Sequence, residues 1–383
     1  MTDGMRFETA AIHVGQEPDA ATGAAVVPIY QTSTYVQDSV GKHKGYEYSR
    51  TDNPTRHALE SCLAALEGCA HAVAFGSGMA AITTLAMTLK SGQKVLLPDD
   101  VYGGTYRLFA RVMNELGISF ATVDMTDLDQ VASAATDDLG LILAETPTNP
   151  LLKILDLKGL SDIGRSAGAL VAVDNTFATP FIQRPLDHGA DVSIYSATKY
   201  LGGHSDLVLG SVATDNEELA ARLRFLQNAV GAIPGPFDSW LLLRGLKTLA
   251  IRMRAHCEAA VRVAGWLAEH PAVAAVYYPG LPDAQGHDVA TRQMAQPGEP
   301  LYGGMVSFET ATPEVALSVC ERTRVFFLGE SLGGVESLIE HPARMTHASL
   351  AGSGMEVPET LVRLSVGIEH PDDLISDLDQ ALG

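Results

Sequence analysis

The stretch Asp191-Val192-Ser193-Ile194-Tyr195-Ser196-Ala197-Thr198-Lys199-Tyr200-Leu201-Gly202-Gly203-His204-Ser205-Asp206 passes from a short apolar run into a turn of hydroxyls, one amine and glycines. Val192 to Tyr195 reads as a buried strand, which puts Lys199 just past a strand end. An amine there can form a Schiff base with an aldehyde cofactor, with Ser196 and Thr198 holding a phosphate. A solvated loop lysine is the plain alternative, and the flanking sequence has to decide between them.

Working outward, the runs Ala72 to Phe75, Lys94 to Leu97, Ser119 to Val123, Leu139 to Ala144 and Leu170 to Val173 read as further strands. Helical stretches such as Met79 to Leu89 and Gly103 to Leu116 separate them. Repeated β-α units with unbroken apolar strands predict an α/β fold, a mostly parallel sheet with helices on both faces. In such sheets ligands bind beyond the carboxyl ends of the strands. The residues at those ends are Ser77-Gly78-Met79, Tyr102-Gly103-Gly104, Glu145 to Asn149, Asp174-Asn175-Thr176 and Ser196 to Lys199.

Before this region, turn formers (Gly15, Pro18, Gly23, Pro28 and Gly45) make residues 1–50 an extended arm, expected to lie on another subunit or across the main domain. Thr55 is the expected cap of a helix from Arg56 to Leu66. After it, one long helix from Asp238 to about Glu269 leads into a smaller α+β unit. Its strands are Val273 to Tyr278, Met305 to Phe308, Thr323 to Phe327 and Leu361 to Val366, and its last helix is Pro371 to Leu382. The expected division is an arm, 1–50, a large domain, 51–245, and a small C-terminal domain, 246–383.

Length supports two domains, since 383 residues exceed a single ordinary core. With 46 acidic against 26 basic residues the net charge is −20, which argues against nucleic acid or an anionic membrane as partner. Cys62 and Cys69 have helix-face spacing and, with Cys257 and Cys320, read as buried thiols in a reducing cytoplasm, not zinc ligands. Met1-Thr2-Asp3-Gly4-Met5-Arg6 lacks a signal-peptide core, and no apolar stretch reaches membrane-span length. A cytoplasmic protein is expected. Histidines such as His13, His204 and His347 stand apart, so no metal site is expected.

Four motifs carry chemistry. Gly76-Ser77-Gly78-Met79-Ala80-Ala81 follows a strand and opens a helix, where backbone N–H groups and the helix dipole favour a phosphate; tight packing of the turn is the alternative. Asp174 ends the apolar run Ala169 to Val173, placed either to pair with a cofactor's ring nitrogen or to make an Asx turn. Tyr102 can stack on a flat ring or fill a loop. Arg363 interrupts the apolar strand Leu361 to Ser365 and needs a partner, either a substrate carboxylate or an internal salt bridge.

In this order the pieces resemble the Cys/Met-metabolism family of fold-type I enzymes that use pyridoxal 5'-phosphate (PLP). The resemblance rests on Tyr46 to Arg56, Asp100 to Thr105, Glu145 to Pro150, Val173 to Phe177, Ser196 to Lys199, Arg222 to Asn228, Arg244 to Leu249, Glu330 to Gly334 and Met345 to Ser349. It runs from the arm to the last helix.

The resemblance implies that Lys199 binds the cofactor aldehyde and later moves protons, that Asp174 holds the pyridinium and that Tyr102 stacks on the ring. Ser77, Gly78, Met79, Ser196 and Thr198 would bind the phosphate. Tyr48 and Arg50 would complete that site from a neighbouring subunit, in a homotetramer with shared active sites. Asn149, Ser331 and Arg363 would grip the α-carboxylate of a small amino-acid substrate. Glu47 and Glu330 would face the distal amino group of cystathionine-type substrates. The implied activity is γ-elimination of cystathionine to cysteine, 2-oxobutanoate and ammonia, with γ-replacement of an O-succinyl- or O-acetyl-homoserine by cysteine as the alternative. Gly104 stands where methionine γ-lyases typically carry cysteine, which turns the reading away from that branch, and Gly329 stands where relatives usually have alanine.

Overall fold

The computed structural model describes residues 4–296, 299–348, 352 and 355–383. Met1, Thr2 and Asp3 of the N-terminal reading and Ser349 of the last motif lie outside the described residues.

The arm is not wholly extended. It contains α1 (Phe7–His13), whose Ala10 and Ala11 are buried in the same core as α2 (Pro54–Glu67). Asn53, not Thr55, caps α2: its side-chain oxygen accepts from Thr55 N at 2.9 Å and Arg56 N at 3.4 Å, with Pro54 set at the first helical position. The Thr55 hydroxyl instead holds the arm, accepting from Tyr30 N and donating to Pro28 O, both at 3.0 Å. Gly68 ends α2 at φ +75°, so Cys69 falls beyond the helix and does not share its face with Cys62.

The larger sheet is built from β1 (His71–Phe75), α3 (Gly78–Ala86), β2 (Lys94–Pro98), α4 (Gly103–Leu108), β3 (Ser119–Val123), α5 (Leu128–Ala134), β4 (Leu139–Glu145), α6 (Leu157–Ala167), β5 (Leu170–Asp174), α7 (Thr179–Ile182), β6 (Val192–Ser196), β7 (Gly210–Thr214) and α8 (Glu217–Val230). The expected helix Gly103 to Leu116 is α4 followed by a π turn over Phe109–Met113 and a 3-10 turn over Asn114–Leu116. Among the described residues seven strands lie in the order β1-β7-β6-β5-β4-β2-β3; β7 is antiparallel to both its neighbours and the remaining pairs are parallel. Both faces of the inner strands are buried, whereas the edge strand β3 is partly exposed. On β2, Val95 and Leu97 enter one core with Phe75 and Ile82, while Leu96 enters another with Ile142 and Leu160. The period-2 alternation of side chains thus feeds two helical layers, which is why β2, β4 and β5 are mostly apolar runs.

The long helix expected from Asp238 is two, α9 (Pro236–Leu246) and α10 (Leu249–Glu269), broken at Lys247-Thr248. There follow β8 (Val273–Tyr277), α11 (His287–Gln293), the two-residue strands β9 (Ala295–Gln296) and β10 (Glu299–Pro300), β11 (Met305–Thr310), α12 (Pro313–Arg322), β12 (Phe327–Leu328), β13 (Leu338–Glu340), β14 (Leu361–Ser365) and α13 (Pro371–Leu382). The second sheet has the order β12-β13-β14-β11-β8 and is antiparallel except at β12/β13. The expected strand Thr323 to Phe327 shrinks to β12 because the Asp377 carboxylate on α13 takes the N–H groups of Arg324, Val325 and Phe326 at 2.8–3.0 Å. Backbone donors bound to a side chain are lost to a ladder. Among the described residues no helix is long and apolar enough to cross a membrane, and no group of three or more His, Cys, Asp or Glu is placed to hold a metal ion.

Candidate active site

A cavity of about 320 Å³ opens at the carboxyl ends of β4, β5 and β6 and is closed from the other side by β14 and the loop between β12 and β13. Its lining includes Ser77, Gly78, Met79, Tyr102, Asn149, Asp174, Ser196, Thr198, Lys199, Glu330, Ser331 and Arg363. These residues are brought together from both sheets.

At one end stands the N-terminus of α3. Ser77 caps it, its Oγ accepting from Ala80 N at 3.0 Å. The turn is pressed against β6 and β7. A Cβ on Gly78 would come within 2.8 Å of Ser196 Cβ, and one on Gly210 within 2.2 Å of Ser77 O. Glycine is required at both positions for this approach, which sets the first, unpaired N–H groups of α3 beside the Ser196 and Thr198 side chains. Thr198 Oγ1 is fixed by the backbone of Leu209, accepting from its N–H at 3.0 Å.

In the middle, Asp174 Oδ1 accepts from Thr176 N at 3.0 Å and Thr176 Oγ1 at 2.5 Å. Burial raises the Asp174 carboxyl above its usual range, and the two Thr176 bonds oppose that rise. Next to it Glu145 is fully enclosed; burial, and then the charge of Asp174, hold it well above the normal carboxylate range. Glu145 accepts from Tyr102 N at 3.2 Å and so anchors the start of α4. The Tyr102 ring leaves no room over Gly104, where a Cβ would lie 2.4 Å from Cε1.

Lys199 Nζ donates to Ser331 Oγ at 2.6 Å. Burial, and then repulsion from Arg363, bring the amine down to about 8. Ser331 holds φ +93°, a left-handed backbone unusual for a residue with a Cβ and typical of functional sites. Arg363 reaches the cavity with one flank committed: Nη1 donates to Asn149 Oδ1 at 2.8 Å and meets Glu340 Oε1 at 3.0 Å, and Nη2 donates to Ser331 O at 2.9 Å. The internal salt bridge is therefore real. Yet Nε is buried without a partner among the described residues, which leaves a donor edge for a carboxylate.

Three expected residues do not line the cavity. Glu47 is exposed beside His43 at 3.5 Å, the Tyr48 backbone pairs with Thr34, and Arg50 Nη1 donates to Asn228 O at 2.8 Å. Within one chain they stand apart from it. Sequence reading passed over Glu145, Thr176, Glu340 and Thr346. Glu145 lay inside a quoted motif, and a strand-end acid beside a second strand-end acid was its signal. Glu340 had none, because only β13/β14 pairing brings it to Arg363, and Thr346 lay inside the motif Met345 to Ser349 with no role of its own.

The donor set fits PLP. Hydroxyls and a helix N-terminus suit a phosphate, a buried carboxylate suits a ring nitrogen, and an amine of lowered proton affinity suits an aldehyde. The profile of the family described as Cys/Met metabolism PLP-dependent enzyme matches residues 8–383. The chain is 55% identical over 378 residues to cystathionine gamma-synthase of Mycobacterium tuberculosis, covering 98% of this chain and 96% of that protein. It is 51% identical over 382 residues to cystathionine beta-lyase of Coxiella burnetii, covering 98% and 97%. The crystal structure of cystathionine gamma-lyase from Lactobacillus plantarum complexed with L-serine superposes with a TM-score of 0.93 at 44% identity, covering 98% of both chains.

Proposed function

The chain belongs to the Cys/Met-metabolism family of PLP-dependent enzymes, and from that premise we propose that it joins cysteine to an O-acyl-homoserine by γ-replacement, giving cystathionine and the free acyl acid. The observation that carries the reading is one cavity in which Lys199 Nζ lies 2.6 Å from Ser331 Oγ, Asp174 lies deep, and Arg363 keeps an unpartnered Nε. The 55% identity to a γ-synthase supports taking replacement as the first reading. γ-Elimination of cystathionine to cysteine, 2-oxobutanoate and ammonia, the expectation from sequence, is the second reading, favoured by the likeness to a γ-lyase structure.

When bound, PLP supplies a ring that accepts electrons released at the substrate's α-carbon. The chain's residues supply the rest. Asp174 would keep the ring nitrogen protonated, Tyr102 would cover the ring, and Ser77, Gly78, Met79, Ser196 and Thr198 would hold the phosphate. Lys199, partly neutral near physiological pH, takes the proton from Cα and moves it, while Ser331 orients its amine. Arg363 and Asn149 hold the α-carboxylate, which fixes the Cα–H bond toward Lys199. Glu330, at the cavity mouth, faces the distal end of the substrate. Tyr48, Arg50 and Glu47 complete the site from a second chain, in a homotetramer. In this reading residues 1–50 are the arm, 51–245 carry the cofactor and 246–383 carry the carboxylate grip.

Product profiling tests it. Purified enzyme is supplied with O-succinyl- or O-acetyl-homoserine plus cysteine, and separately with cystathionine alone. Rapid cystathionine formation is expected from the first set. Pyruvate and homocysteine from cystathionine would move the chain to β-lyase chemistry, and rapid 2-oxobutanoate with no synthesis would leave only γ-elimination.

A further inference from the structure

Glu340 is buried, with 1% of its side chain exposed, against an Arg363 side chain 2% exposed. It ends β13 directly opposite Arg363 on β14. Two further polar groups continue from it. Thr346 Oγ1 lies 2.7 Å from Glu340 Oε1 and 2.8 Å from His347 Nδ1. His347 Nε2 in turn lies 3.1 Å from Asn149 O. The chain of contacts thus starts at the arginine and ends at the asparagine that hold the proposed substrate carboxylate.

Counting hydrogens along it exposes a mismatch. A backbone carbonyl only accepts, so the Nε2 contact requires a proton on Nε2. Burial brings His347 down to about 4, so near neutral pH the ring carries a single proton and Nδ1 is an acceptor. With Glu340 ionised, the two contacts of Thr346 then share one hydroxyl hydrogen. One of them, at 2.7 or 2.8 Å, sets two lone pairs against each other. One added proton satisfies both contacts: Glu340 donates to Thr346, and Thr346 donates to Nδ1. The second oxygen, Oε2, has no partner among the described residues, and a neutral acid tolerates that better than a carboxylate does.

The charges around the cluster point the same way. Burial raises the Glu340 carboxyl above its usual range, and Arg363 on β14 is the cation that most opposes the rise. Lys199 after β6 adds to that effect, while Glu330 from the loop after β12 opposes it. Cys320 on α12 also feels the Glu340 charge and stays a neutral thiol, its proton held by burial up to about 12. His341, next in sequence, turns away to Glu359 O at 2.8 Å. A carboxylate closing on the free edge of Arg363 places two anions on one buried guanidinium, and Glu340 then loses half of its counter-charge.

We propose that Glu340, Thr346 and His347 form a proton-accepting positioning cluster, loaded with one proton when a carboxylate ligand closes on Arg363. This rests on the reading of Arg363 as the carboxylate grip. Binding is then linked to pH: affinity falls by up to about tenfold per unit across the window between the free and bound proton affinities of the cluster.

The test uses holoenzyme and butanoate, a monocarboxylate with no amine of its own to titrate. Calorimetry in buffers of different ionisation enthalpy, from pH 7 to 9.5, counts protons taken up on binding. Wild type is expected to take up between half a proton and one proton within that range. Glu340→Gln is expected to take up none and to bind butanoate at pH 9 at least as tightly as wild type, whereas a purely structural role predicts weaker binding at every pH. Thr346→Val is expected to reduce the uptake. No uptake in wild type across the range, or equal uptake in Glu340→Gln, overturns the proposal without needing any variant to be fully active. Butanoate affinity unchanged in Arg363→Gln would sink the carboxylate-grip reading itself, together with this one. Affinity lost in that variant with no uptake in wild type sinks only the cluster.

Discussion

Glu145 and Asp174 are register partners at the last rung of the β4/β5 ladder, so two enclosed carboxyl groups share one edge of the cavity. Two neighbouring buried acids do not both ionise easily, and the one without hydroxyl support holds its proton more readily. Thr176 gives Asp174 a hydroxyl and an amide, whereas Glu145 has the backbone amides of Tyr102 and Asn149. Glu145→Gln is therefore expected to change cofactor affinity by less than about threefold, under 1 kcal/mol. Asp174→Asn is expected to cost at least about a hundredfold in kcat/KM, the scale of removing one buried charge partner. Cofactor titration by absorbance and steady-state rates check both. If Glu145→Gln proved as damaging as Asp174→Asn, Glu145 would have to be ionised in the native enzyme.

Gly104 separates activity from stability. Gly104→Ala puts a Cβ into the Tyr102 ring, which has to swing, while alanine favours the helix by about 0.5–1 kcal/mol. Thermal midpoint is expected to hold or rise while kcat/KM falls. A variant of unchanged kcat/KM would show that the ring pose does not matter.

The Lys199 amine gives a pH dependence of known sign. Burial lowers it from 10.5 to about 8. The neutral, nucleophilic form thus accumulates as pH rises through about 8, and cofactor capture by apoenzyme is expected to accelerate with a midpoint there. The folded chain also holds fewer protons than the unfolded chain between about 8 and 10.5, so this group adds stability as pH rises across that window. Stopped-flow mixing of apoenzyme with PLP from pH 6.5 to 10 locates the midpoint, and a value near 10.5 would contradict the burial argument.

Asn53 ties the arm to the fold. Besides capping α2, its Nδ2 donates to Tyr30 O at 2.9 Å and to Tyr35 Oη and Ser49 Oγ at 3.1 Å. Asn53→Asp keeps the cap and loses those bonds, whereas Asn53→Ala loses both. The alanine variant is expected to be less stable than wild type by about 1–2 kcal/mol and the aspartate variant to fall between them. Chemical unfolding measures the order, and equal losses would assign the whole effect to the arm contacts.

The central strands were legible because both of their faces are buried, which writes a continuous apolar run into the sequence. Ser119 to Val123 and Pro371 to Leu382 were read to the residue. β7 was not anticipated, since Gly210-Ser211-Val212-Ala213-Thr214 is small and part polar, and its burial comes from lying between β1 and β6. The α9/α10 break carries no proline or glycine at Lys247-Thr248 and was invisible to periodicity. The cavity-lining residues from strand ends were legible for a topological reason, since parallel β-α units deliver their strand ends to one side. Glu340 was not, because its importance arises only through an antiparallel pairing of distant segments. The expected role of Tyr48, Arg50 and Glu47 depends on a neighbouring chain.

The bond from Lys199 to Ser331 spans 132 positions of sequence. Synthesis runs from one end of the chain to the other, so a nascent polypeptide carries Lys199 long before Ser331 and Arg363 exist. Until the second sheet docks, the amine lacks the burial and the Arg363 charge that lower its proton affinity, and it stays protonated like any exposed lysine. The nucleophile is thus made by the docking of the two sheets and not by the segment that carries it.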